Sequence, residues 1–250
     1  MTLLGIDIGG SGIKGGLVDA ENGRLLTERT RLDTPQPATP KAVGDTVATL
    51  AQRIGGEGPI GVAFPARIRR GVALTATNID RAFLGTDVDA LLTEATGRPV
   101  SVLNDADAAG LAEVRFGAAR DARGVVMMLT FGTGIGSALF IDGQLVPNTE
   151  LGHLVLPSGK VAEPYAADRA RKDKKLSWED WAGRVQVYLD HVEFLFAPDL
   201  IVVGGGVSKP ERWKEFASFL KTQARLVPAA LRNEAGIVGA AAFARERDSM

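Results

Sequence analysis

The sequence contains no cysteine. That excludes disulfides, thiolate metal sites and a cysteine nucleophile. Histidine occurs only at 153 and 191, so any metal would be a hard cation held by oxygen, or one resting on two histidines. Neither sign of charge is in surplus: 29 Lys and Arg stand against 30 Asp and Glu, a net charge of −1. No global field gathers nucleic acid or acidic lipid, so neither is an expected partner, and any other polyanion needs a local patch. The start, Met1-Thr2-Leu3-Leu4-Gly5, lacks a basic stretch followed by a long apolar run. That predicts a cytoplasmic chain without a secretory leader. Hydrophobic residues at 45% and charged residues at 24% exclude a disordered tail, a fibrous repeat and a membrane protein. Glycine is in excess, 30 of 250 residues, and is expected where backbone turns tightly or approaches a ligand.

The length allows one large domain or two small ones, and the alternation of elements predicts an α/β fold. Apolar residues 3–8 read as a buried strand ending in glycines, followed by strands at 13–18 and 24–28 around the turn Asp19–Gly23. Segment 33–40 carries three prolines and reads as a loop. Residues 41–54 repeat apolar positions at helical spacing up to Gly55-Gly56. A strand at 59–64 stops at Pro65. A helix over Leu84–Ala95, a strand over Pro99–Leu103 and a helix over Ala106–Arg115 follow. Residues 125–146 then read as strand, glycine turn, strand, tight turn, strand. Segment 157–176 is charged and poorly patterned. Ser177 is the expected N-cap of a helix whose apolar face is Trp178, Trp181, Val185, Leu189, Val192 and Phe196, with Asp180 as capping-box partner. The strand Leu200–Val203, the turn Gly204-Gly205-Gly206, and helices over Glu211–Leu226 and Ile237–Arg247 complete the chain.

Aligning Asp7 with Thr130 places Gly9 on Gly132 and Asp19 on Asp142. Two such units imply an internal duplication with a cleft between its halves. In the first, residues 5–16 (GIDIGGSGIKGG), a strand delivers Asp7 to a glycine turn whose N–H groups can converge on phosphate oxygens. Gly9, Gly10 and Gly12 permit close approach, Ser11 and Lys14 add a hydroxyl and an ammonium, and Asp7 can orient a hydrated Mg²⁺. A plain glycine-rich hairpin is the alternative. The turn from Thr130 through Phe131, Gly132, Thr133 and Gly134 to Gly136 follows the same logic. In residues 102–110 (VLNDADAAG), a strand places Asn104 and Asp105 at a helix start. There Asp105 is either a general base for an alcohol or merely the helix cap.

Taken in order, GIDIGGSGIKGG, VLNDADAAG, LTFGTGIGSALFIDG, ELGHL and PDLIVVGGG resemble the ROK sugar kinases, from Leu3 to about Ala244. The resemblance implies a two-lobed actin-like ATPase and hexokinase (ribonuclease H-like) fold with a cleft between the lobes. The expected division is a smaller N-terminal lobe of 1–116 plus 238–250 and a C-terminal lobe of 117–237. It implies Asp105 as the base that deprotonates a sugar 6-hydroxyl, and Asn78, Asn104, Asp105, Glu150 and His153 as sugar ligands. Asp7, Gly9, Gly10, Ser11, Gly12, Lys14, Thr130, Gly132, Thr133 and Gly134 match the phosphate and Mg²⁺ groups, with Asp7 meeting the ion through water. Gly204, Gly205 and Gly206 match the nucleotide-side loop.

ROK kinases mostly follow the Gly-His pair with a cysteine-rich zinc loop, which this chain cannot have. The cysteine-free form, with LSWEDWA and NDADAAG, is similar to the polyphosphate glucokinase branch. Glu163 then stands where the family places a further sugar-binding glutamate. The branch implies transfer from polyphosphate, and from ATP, to glucose and mannose, and a homodimer. Two basic clusters are candidate polyphosphate tracks: residues 168–175 (DRARKDKK), and Arg67, Arg69 and Arg70. The rival readings are a strictly ATP-dependent glucokinase or fructokinase of this fold, and a non-catalytic sugar-responsive regulator.

Overall fold

The computed structural model describes residues 1–77 and 79–248. The chain divides into two compact units, Met1–Ala112 with Glu234–Met250, and Glu113–Asn233. The crossings fall at 112/113 and 233/234, where the sequence suggests 116/117 and 237/238. Glu113 accounts for the shift: its carboxylate accepts N–H groups from Ala118, Ala230 and Leu231 at 2.7 to 3.1 Å. That ties the later turns of its helix to the second unit.

In the first unit, β1 (Thr2–Gly9) pairs antiparallel with β2 (Gly12–Asp19), whose outer edge carries β3 (Arg24–Leu25) and β4 (Thr30–Leu32). Helix α1 (Pro40–Ile54) begins under a Thr39 cap and leads to β5 (Ile60–Phe64). A small hairpin of β6 (Ile68–Arg69) and β7 (Val72–Ala73) precedes α2 (Val88–Thr96). Strand β8 (Val100–Asn104) then runs directly into α3 (Asp105–Phe116). The sheet order is β3-β2-β1-β5-β8, with β5 parallel to both β1 and β8. Alternation along β1 sends Leu4, Ile6 and Ile8 into the core shared with Val43 and Val47 of α1. The helix expected over Leu84–Ala95 starts only at Val88. Gly85 takes a positive φ of 79°, and the Asp87 carboxylate accepts the Ala90 N–H at 2.9 Å, which places the cap there.

The second unit repeats this plan. Strand β9 (Val125–Phe131) pairs antiparallel with β10 (Ile135–Ile141), which pairs with β11 (Gln144–Val146). Segment 157–176 is ordered as α4 (Ala162–Ala166) and α5 (Asp168–Asp173). Helix α6 (Trp178–Phe196) is capped by Ser177, whose oxygen accepts the Asp180 N–H at 3.0 Å. It is followed by β12 (Leu200–Gly204), α7 (Pro210–Phe216) and β13 (Arg225–Pro228). The helix expected over Glu211–Leu226 thus ends early, and its last residues form a strand parallel to β12. The order β11-β10-β9-β12-β13 matches that of the first sheet. The core lies between β9 and β12 and the face of α6 carrying Trp181, Val185, Tyr188, Leu189 and Val192.

The register amends one detail of the repeat. Ile8 faces Ile13, whereas Phe131 faces Ile135, so the second hairpin is one residue shorter at its turn. Thr2 matches Val125, but their partners are Asp19 and Ile141, so Asp19 corresponds to Ile141 and not to Asp142.

The chain returns to the first unit as α8 (Ala235–Asp248). This helix is buried almost all round by small residues, and Gly5 and Gly61 let its backbone lie directly on β1 and β5. A Cβ at either would overlap the carbonyl of Ile237 or Ala240. No helix among the described residues is long and apolar enough to cross a membrane.

Candidate active site

In the first unit, parallel register sets Asp7 beside Ala63, and Phe64 beside Asn104. The carboxyl ends of β1, β5 and β8 therefore lie side by side, where open α/β sheets bind ligands. Asp7 faces Lys14 across the β1–β2 ladder, with Oδ2 3.7 Å from Nζ. Burial pushes the Asp7 carboxyl above its ordinary value, outweighing the pull of Lys14 and, more weakly, Arg29. The first turn of α8 closes over it: a Cβ at Gly236 would sit 3.1 Å from Asp7 Cγ. The turn at Gly10 and Ser11 is exposed. It is braced from the far side by Arg31, whose Nη2 donates to Ser11 O at 2.7 Å, and by buried Thr34, whose hydroxyl donates to Gly9 O at 2.5 Å. A cleft of about 420 Å³ opens beside this turn, lined by Gly9, Gly10, Thr34, Gln36, Pro65 and Asp80 among others.

At the end of β8 the cap of α3 is Asn104. Its Oδ1 accepts the N–H groups of Ala106 and Asp107 at 2.9 and 3.1 Å, and its Nδ2 donates to Ala66 O at 3.1 Å. Asn104 is nearly buried and spends most of its amide on backbone, which leaves one N–H for a ligand. Asp105 is the first residue of α3 and is exposed, with Oδ1 near its neighbour's N–H. Asn78 lies outside the described residues.

In the second unit, Thr130 at the end of β9 pairs with Gly204 at the end of β12, so the two glycine turns are neighbours. Gly205 (φ 79°) packs on the Phe131 carbonyl, where a Cβ would come within 2.5 Å of the oxygen. The β9–β10 turn through Gly132, Thr133 and Gly134 is closed by Gly132 N–H donating to Gly134 O. Glu163 packs against this turn. The Glu163 Oε2 accepts the Ile135 N–H at 2.8 Å and lies where a Cβ on Gly134 would be. Gly152 packs on the Ile135 carbonyl. Glu150 and His153 point outward, 3.9 Å apart, with side chains 39% and 64% exposed. They are anchored by Ser137, which accepts the Leu151 N–H at 3.0 Å and donates to Thr149 O at 2.8 Å.

This succession of strand-end carboxylate, glycine turns and Glu-x-x-His has a counterpart among known proteins. The model of the ROK family matches residues 3–171. The chain belongs to the ROK family. It is 48% identical to polyphosphate glucokinase of Mycobacterium tuberculosis (strain ATCC 25618 / H37Rv) over 239 residues, 95% of this chain and 89% of that one. The crystal structure of inorganic polyphosphate/ATP-glucomannokinase from Arthrobacter sp. strain KM superposes with a TM-score of 0.92. It shares 51% identity and covers 98% of this chain and 99% of its own. A ROK family glucokinase from Streptomyces griseus, in complex with glucose and AMPPNP, follows at TM-score 0.82 and 27% identity, covering 98% and 100%.

Within this ROK chain the two basic clusters differ. Residues 168–173 of the first cluster form α5, where Arg169, Arg171 and Lys172 are paired with acids of the same helix. Asp168, 2% exposed, is held by Arg171 at 2.9 Å and Lys172 at 2.6 Å; Arg171 also stacks on Trp178 at 3.9 Å, and Arg169 reaches Asp173 at 3.5 Å. Among the described residues no ion pair holds Arg67, Arg69 or Arg70. Arg31, Thr34 and Ser137 escaped the sequence reading. Each acts through a backbone atom that is distant in sequence, and only the polar Ser137 at an inward position of β10 left a trace.

Proposed function

We propose that the protein transfers the terminal phosphoryl group of inorganic polyphosphate, and of ATP, to the 6-hydroxyl of glucose and mannose. The observation that carries this reading is likeness along almost the whole chain, at 48% and 51% identity, to two kinases whose names specify a polyphosphate donor and a hexose acceptor. The local geometry supports it. With capping performed by Asn104, Asp105 stands exposed at the start of α3, suited to receive the hydroxyl proton. As that proton leaves, the hydroxyl oxygen forms a bond to phosphorus and the bond to the donor's bridging oxygen breaks. The donor departs one phosphate shorter.

Glu150 and His153, with Asn104 and Asn78, take sugar hydroxyls through their donor and acceptor atoms. In this reading Glu163 acts through the turn it holds as well as through its remaining oxygen. The glycine turns at 9–12, 130–134 and 204–206 offer N–H groups to phosphate oxygens, and Lys14 adds a point charge.

Magnesium suits this set: it is commonly held by one or two carboxylates, with water and phosphate filling its shell. Asp7 is such a carboxylate, with its charge incompletely matched by Lys14 at 3.7 Å. No cluster of three or more acidic or histidine ligands occurs among the described residues. When bound with the donor, the ion neutralises charge on the phosphate oxygens. We place the enzyme in the cytoplasm, as a homodimer of 26.3 kDa chains; sedimentation at the monomer mass would refute the dimer.

The test is purified protein with Mg²⁺, glucose and a single donor. Glucose 6-phosphate should appear with polyphosphate alone and with ATP alone; turnover with ATP only would overturn the donor assignment. Replacing Asp105 by Ala should lower kcat by about 10²- to 10⁴-fold while glucose binding, followed by calorimetry, is retained in part. Near-normal turnover would remove Asp105 from its role.

A further inference from the structure

We infer that the β6–β7 hairpin, carrying Arg67, Arg69 and Arg70, is a docking site for the polyphosphate chain; this rests on the donor reading above. Among the described residues none of the three guanidinium groups is ion-paired or hydrogen-bonded. The Arg67 Nε is shut off from water with no partner, and a buried donor left unpaired costs about 1–3 kcal/mol. Arg69 and Arg70 are exposed.

Arg70 occupies the hairpin tip at φ 52°, followed by Gly71 at φ 81°. Both central residues thus have positive φ, the turn that favours Asn-Gly or Gly-Gly. A long side chain held in that conformation costs about 1–2 kcal/mol. Among the described residues neither nearby carboxylate is ion-paired with these arginines. Asp87 caps α2 through the Ala90 N–H, and Asp89, packed against Gly71, accepts the Val102 N–H at 2.8 Å. Three unmatched positive charges in four positions therefore stand on one short hairpin.

The hairpin is also next to the chemistry. Arg67 directly follows Ala66, whose carbonyl fixes the Asn104 amide beside Asp105. A linear polyanion is the ligand this arrangement fits, because it can engage several guanidinium groups at once and release a counterion at each. Helix α5, the other basic segment, already pairs Arg169, Arg171 and Lys172 with Asp168 and Asp173.

The experiment uses the full chain and sodium polyphosphate, read by direct binding and by turnover with glucose. Replacing Arg69 and Arg70 together by Ala leaves the half-buried Arg67 in place, so the fold is kept. Polyphosphate binding should weaken about 10-fold, and its dependence on salt should flatten by roughly two units of log–log slope. The KM for polyphosphate should rise in step, with the KM for glucose moving less than about two-fold. An Arg67→Ala variant should show the same direction, and an Arg169→Ala/Lys174→Ala variant should bind as the unmodified protein does. Unchanged binding in the hairpin variants, or an equal loss in the α5 variant, would overturn the site. An unmodified protein that binds polyphosphate without turning it over would refute the donor reading and leave the site standing. One that does not bind it at all would refute both.

Discussion

Single side chains divide the labour at the first glycine turn. The Thr34 hydroxyl holds the Gly9 carbonyl from behind, and its loss leaves a buried acceptor unmet. Thr34→Val should cost about 1 kcal/mol of stability and raise the KM for the phosphoryl donor several-fold, with the KM for glucose changing less. Thr34→Ser should restore both; a uniform fall in kcat without a KM change would make Thr34 a packing residue only. Tyr188 is the converse case. Among the described residues its buried hydroxyl has no hydrogen-bond partner, and burial pushes its ionisation far up. Tyr188→Phe should therefore melt at the same temperature as the unmodified chain or higher, and a drop of several degrees would reveal a partner for the hydroxyl. The sequence showed Asn104 and Asp105 together at a helix start but not which of them caps it. That choice depends on Asn104 also reaching Ala66 in another strand, a contact no local pattern encodes.

Among the elements, α2 shows how a boundary misleads. Apolar spacing carries on into Leu84, yet Gly85 and the Asp87 cap delay the helix. Likewise Arg225 and Leu226 read as the end of a helix until β12 offers them a parallel edge. Strong local signals, such as the Ser177 cap and the α6 stripe, were legible because they need no distant partner. The cap region of α2 also carries a pH prediction. Asp89 has a carboxyl raised above its ordinary 3.8, mainly by burial and further by Asp87, against the pull of the Val102 N–H and Arg247. The folded chain therefore keeps this proton to higher pH than the unfolded chain, and stability is lost as pH rises from about 3.8 through the raised value. Asp89→Asn, whose amide oxygen can still accept the Val102 N–H, should melt above the unmodified protein at pH 7. The gap should close towards pH 4, as thermal melts across that range would record.

For the whole molecule, the repeat was legible as two glycine hairpins, and the matching strand order of both sheets extends it. What stayed hidden was the register difference of one residue and the crossing point within α3, both set by long-range contacts such as those of Glu113. The role of α8 was equally hidden, since a helix buried on all sides has no stripe to read. Its seat depends on space at β5: Gly61→Val should cost at least about 2 kcal/mol, seen as a lower urea midpoint, because its side chain would overlap the Ala240 carbonyl.

The first unit is also discontinuous, since α8 rejoins it only after residues 113–233. A ribosome thus releases β1, β5 and β8 long before the helix that covers Gly5 and Gly61. The intervening unit can fold while its predecessor waits half-assembled, with one sheet face bare. Late translation, rather than the first strands to emerge, sets when Asp7 acquires its final surroundings.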